Sequence, residues 1–217
     1  MIELKKLKEI DPLVRNAEKH LDQSEFSPMD PPEAYSPPEV DDIDYSDLHS
    51  LFQRLMDDHK KIVVSLDAFE RVLTDIFENG INQNVHARLS EFFRAFDELV
   101  LLHSQKEEKI LFPTLQVHLL ESGDHSQSAE RRTAVDMLED DHVKVIQLAA
   151  VTFNFFGLAS RLPDPASTAI VMDAAVEQGR ALVEALRLHI FRENTVVFPL
   201  AQKRISGSEL DDLAARL

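Results

Sequence analysis

The chain has no cysteine and no tryptophan, and only five glycines in 217 residues. Without cysteine there can be no disulfide, iron–sulfur cluster, zinc–thiolate site or thiol catalysis. The absence is compatible with a reducing cytosol. Scarce glycine suits a helical protein, because glycine weakens helix interiors. Basic residues are also short: 23 Lys and Arg stand against 39 Asp and Glu, a formal net charge of −16. Such a surface repels the phosphates of nucleic acids and anionic membranes, so neither is expected as a partner. No apolar run is expected to approach bilayer length. The opening Met1-Ile2-Glu3-Leu4-Lys5-Lys6 lacks the uninterrupted apolar stretch of a signal peptide. The expectation is a soluble cytoplasmic protein.

What the chain does contain is a polar pattern set into apolar helices. Between Leu101 and Pro113, His103 and Glu107 stand four residues apart. Four residues turn through about 400° on an α-helix, so the two side chains share a face. Phe96, Leu99, Val100, Ile110 and Leu111 lie on the same stripe. An ionised carboxylate buried there without a partner costs several kcal/mol, so something must satisfy Glu107. The arrangement recurs: His189 and Glu193 have the same spacing, and both segments close on Phe-Pro. Each is preceded by a matching Asp-Asp-His, ending at His59 and at His142. The offsets are 83 residues (59 to 142) and 86 residues (103 to 189), which marks an internal duplication of a two-helix unit.

The fold class expected is all-α: an up-down-up-down four-helix bundle with an N-terminal helical and Pro-rich extension. Residues 1–45 form the extension, with an apolar stripe of Leu13, Val14, Ala17 and Leu21, for docking on the bundle or for self-association, before an acidic linker holding Pro28, Pro31, Pro32, Pro37 and Pro38. Residues 46–205 form the bundle, and 206–217 a short C-terminal helix. The long helices are expected over about 46–79, 84–121, 129–161 and 165–205. Pro113 and Pro199 are expected to kink the second and fourth. His59 and His103 lie at similar distances from the first turn, as His142 and His189 do from the third. All four histidines therefore converge on one layer.

The candidate metal ligands are His59, His103, Glu107, His142, His189 and Glu193. Four neutral imidazoles and two carboxylates suit iron, manganese or zinc, and a bundle interior has room for two ions. Two divalent ions would leave a positive centre that an oxo or hydroxo bridge moderates. Taken singly, each feature has a blander explanation, since a lone histidine on an apolar stripe is usually a hydrogen-bonded core residue. Six polar groups at core phase, duplicated and level across four helices, are hard to explain without metal. Asp58 and Asp141 either orient histidines or are simply solvated. Glu108 is an alternative ligand that ranks below Glu107 because it lies off phase, so its removal is expected to be nearly silent. His20, His49, His86, His118 and His125 are expected at the surface.

Taken together, these residues resemble the hemerythrin-like, His-His-Glu cation-binding family over about residues 46–205. The resemblance implies a four-helix bundle around a non-haem di-iron centre, with Glu107 and Glu193 bridging and the four histidines terminal. The sequence departs from the oxygen-carrying members. Ile146 stands where they have a further histidine, and Asn194 where they have an aspartate, with Glu193 one place earlier. The pattern is closer to bacterial members linked to nitric oxide, oxidative stress or repair of iron centres, without the cysteine-containing domain some of those carry. The expected function is a cytoplasmic di-iron protein binding or sensing dioxygen, nitric oxide or iron. The alternatives are a redox enzyme consuming peroxide or nitric oxide, and a metal-responsive interaction module. No acid–base residue beyond the ligands argues for an enzyme, and no protein partner can be named.

Overall fold

The computed structural model describes residues 43–127 and 131–217. The expected helices and most of the Pro-rich linker of the extension lie outside the described residues. Four helical rods follow one another. The first is α1, Ser50–Asn79. The second runs through α2 (Gln83–Ala95), a π-helical stretch (Phe96–Leu101), α3 (Leu102–Lys106), a second π stretch (Glu107–Leu111) and α4 (Phe112–Ser122). The third is α5, Ala134–Ala159. The fourth joins α6 (Pro165–Arg192), a π stretch (Glu193–Val197) and α7 (Phe198–Arg204). A short α8, Gly207–Ala214, follows. No strand occurs among the described residues.

Local chemistry sets the ends. α1 stops at Gly80, whose φ of 73° is a region that favours glycine. It starts later than residue 46, because the His49 side chain accepts from the Leu51 N–H and caps it. α5 likewise starts at Ala134 rather than 129, where Thr133 and Asp136 form a capping box. Asp164 caps α6, with Pro165 in its first turn.

Pro113 and Pro199 do not simply kink continuous α-helices. A π-helical stretch lies immediately before each, and each proline sits in the first turn of the α-helix that follows. A wider turn shifts the register of the hydrogen-bond ladder where proline can offer no N–H. A second correction concerns α5. By length and composition alone this helix is apolar enough to cross a membrane, although charged residues interrupt its first turns. Val143, Ile146, Val151, Phe153 and Leu158 stay exposed, while the opposite stripe carries His142 into the bundle.

α1 packs on α2 and α6, α5 lies along α6, and α4 meets both α5 and α7. The core has two parts. One, built around Phe69, Leu73, Phe92, Phe156 and Leu182, fills the end nearer the first and third turns. The other, built around Phe52, Leu55, Phe112, Leu115 and Phe198, fills the opposite end and receives Leu210 and Leu213 of α8. Every rod passes from one core to the other, and its buried histidines and glutamates lie at that crossing.

Candidate metal centre

The structure brings all six residues singled out from the sequence together in the layer between the two cores. His59, His103, Glu107, His142, His189 and Glu193 are at most 3% exposed. Two groups form: His59, His103, Glu107 and Glu193 are one, and Glu107, His142, His189 and Glu193 the other. Within each, one ligand atom per residue lies within 4.8 Å of all the others. The two glutamates belong to both.

How the carboxylates are shared is visible atom by atom. Glu107 Oε1 lies 3.3 Å from His103 Nε2, and its Oε2 lies 3.5 Å from His142 Nε2. Glu193 Oε2 lies 3.1 Å from His59 Nε2, and its Oε1 lies 3.2 Å from His189 Nε2. Each carboxylate thus turns one oxygen towards each histidine pair. Although nitrogens approach, none of the four oxygens has a hydrogen bond of good geometry. Within each pair the Nε2 atoms face each other, 2.8 Å apart for His59 and His103 and 3.1 Å for His142 and His189. Two imidazole lone pairs cannot meet at that distance without a proton or a cation between them. The donor set therefore fits metal: nitrogen and carboxylate oxygen, converging, desolvated and otherwise unsatisfied.

Electrostatics agree with that reading. Burial pushes the His103 imidazole down, but Glu107, Asp58 and Glu193 outweigh it and hold its pKa up at about 10. Burial acts the same way on His189, and Glu193, Asp141 and Glu107 raise it to about 10. Burial pushes the Glu193 carboxyl up, but the imidazoles of His189 and His59 hold it well below the usual range. Without metal, protons held by His103 and His189 offset the charge that Glu193 keeps.

Around the six lies a shell that follows the duplication. Asp58 Oδ2 is 4.0 Å from His103 Nδ1 and Asp141 Oδ2 is 3.7 Å from His189 Nδ1, ion-pair rather than hydrogen-bond distances. Lys106 and Lys61 clamp Asp58 at 2.7 and 2.8 Å, and Arg192 clamps Asp141 at 2.7 Å. His103, Lys106 and Lys61 hold the Asp58 carboxyl below its ordinary range. The two aspartates therefore lie behind the His103 and His189 rings while meeting cations at the surface, and Nδ1 of each of these rings has no hydrogen-bond partner.

The phenylalanines of the two Phe-Pro pairs have a role that helical phase alone does not disclose. Phe198 stacks on His59, with centroids 5.6 Å apart and planes 7° from parallel. Phe112 stacks on His142 at 5.8 Å and 16°. Glu108 lies beside the ligands without being one of them. It is not among the ligand groups, yet its Oε1 accepts from His142 Nδ1 at 2.8 Å. Asn194 Oδ1 accepts from His59 Nδ1 at the same distance. Both bonds turn the Nε2 lone pair of their ring to the centre.

The remaining histidines of the described residues stay away from the centre. His49 caps α1 and faces Asp211, His118 pairs with Glu209, His125 bonds the Ser126 carbonyl, and His86 is exposed. His20 lies outside the described residues. Ile146 is 47% exposed, so the position where the oxygen carriers have a further histidine faces solvent here.

Among known protein families, the model of the hemerythrin HHE cation-binding domain matches residues 50–201. No curated protein and no solved structure matches the chain.

Proposed function

Because the chain belongs to the hemerythrin HHE cation-binding domain family, we propose that it is a non-haem di-iron protein that binds or senses a small ligand, dioxygen or nitric oxide, or iron itself. The observation that carries this reading is the division of each glutamate between the two histidine pairs. His59 and His103 would hold one ion and His142 and His189 the other, with Glu107 and Glu193 spanning both. A spanning carboxylate offsets the repulsion between two cations a few Å apart. When bound, a redox-active pair supplies coordination positions that protein groups do not fill, and electrons for exchange with a diatomic molecule.

The chain's own contribution is a dry, fixed pocket. The two cores shut water out on either side, and the six side chains are nearly without exposure. Only a very small ligand fits such a place without rearrangement, which favours a diatomic over an extended substrate. Among the described residues, the carboxylates beside the six are Glu108, Asp58 and Asp141, and each already faces a ligand histidine. Binding and sensing are therefore favoured over turnover.

Protein reconstituted anaerobically with Fe(II) tests the proposal. Its optical spectrum is expected to change on exposure to dioxygen or nitric oxide, in proportion to bound iron. An unchanged spectrum in fully loaded protein would sink the ligand-binding reading. Sustained consumption of peroxide or nitric oxide under reductant would favour the enzyme instead.

A further inference from the structure

The duplication is broken at one pair of residues that contact the centre. Glu108 and Asn194 are equivalent by the 86-residue offset, and each accepts the Nδ1–H of a stacked histidine at 2.8 Å. One of them carries a negative charge and the other does not. The ligand pattern of the two pairs is matched, although Glu139 lies near His142 where the 83-residue offset places Met56, and two lysines meet Asp58 where one arginine meets Asp141. Both pairs share the same two glutamates, both have one ring stacked on a phenylalanine, and both have an aspartate behind the other ring.

From this mismatch, and resting on the metal-centre reading above, we propose that the two half-sites are unequal. The His142–His189 half-site binds a divalent cation more tightly than the His59–His103 half-site, with Glu108 as the positioning residue that makes the difference. A carboxylate accepting from the far nitrogen of an imidazole makes the near nitrogen a stronger donor, and it adds a charge attractive to the cation. The neutral Asn194 orients its ring equally well but adds neither effect. Glu108 is 43% exposed on its side chain, so solvent screens its long-range field. The direct hydrogen bond is what survives that screening. Removing partners of this type typically lowers metal affinity about 10- to 100-fold, so a difference of about tenfold is expected.

Zn(II) is the probe, since it needs no reductant and has no redox chemistry. H103A leaves the His142–His189 half-site whole, and H189A leaves the other whole. In competition with a chromophoric chelator, H103A is expected to hold its single Zn(II) about tenfold more tightly than H189A. Adding E108Q to H103A should remove that advantage. Adding N194D to H189A should confer a similar one, a gain that a merely structural role for these residues would not produce. If either histidine variant does not fold, the full-length unmutated chain decides. With one equivalent of Zn(II), the ring ¹⁵N signals of His142 and His189 should move before those of His59 and His103. Equal affinities, or both pairs moving together in protein that takes up two ions, would overturn the inequality alone. Failure to bind Zn(II) at all would overturn the metal-centre reading itself.

Discussion

His103 and His189 carry protons in the metal-free protein because Glu107 and Glu193 sit beside them, and this has a consequence for stability. Each imidazole is held at about 10 in the folded chain, against an ordinary value of 6.5. The stability drawn from these protonated pairs is fully present below about pH 6.5 and is lost as pH rises through about 10. Glu193 has the opposite sign: its contribution is present above an ordinary value of 4.5 and is lost on acidification. Bound cations take the place of the protons. The melting temperature of metal-free protein is therefore expected to fall between about pH 6.5 and 10, while that of loaded protein holds. Parallel pH profiles for the two forms would contradict the assignment. The six central residues were legible in the sequence because helical phase places each on a buried stripe. Glu108, Asn194, Phe112 and Phe198 were not, because their roles depend on which neighbouring rod they face. The offset that pairs 103 with 189 also pairs 108 with 194 and 112 with 198, and it was the signal available for finding them.

The rods themselves were legible from apolar periodicity, but their ends and interruptions depend on individual contacts. His49 and Thr133 cap helices that periodicity alone would begin earlier. The π stretches have no apolar signature, and the prolines behind two of them read as kinks instead. Two glycines make the packing of rods measurable. A Cβ on Gly179 in α6 would lie 2.8 Å from Leu73 Cδ2 and 3.3 Å from Phe69 Cζ of α1. Leu73 is fully buried, and Phe69 is stacked on Phe92 at 3.7 Å, so neither can move freely. Overpacking of this kind costs about 1–3 kcal/mol, against about 1 kcal/mol gained in helix propensity. Gly179→Ala should lower the urea midpoint. Gly157→Ala in α5, where a Cβ meets nothing within 4 Å, should raise stability by about 0.5–1 kcal/mol. Shifts of the same sign would mean that α1 and α6 are not in the contact described.

For the molecule as a whole, all six central residues lie on the four rods, between residues 59 and 193. A chain beginning at Ile43, whose side chain packs on the second core, should therefore keep its metal and its spectrum. Loss of either on truncation would mean that residues 1–42 complete the centre or the core. The central claim is that two cations share Glu107 and Glu193, and it is tested most directly by iron content per chain after anaerobic reconstitution. About two iron ions are expected in the unaltered protein, and fewer in both Glu107→Ala and Glu193→Ala, since each loses a carboxylate that spans the pair. A single ion per chain in the unaltered protein, or two ions retained in both alanine variants, would contradict it.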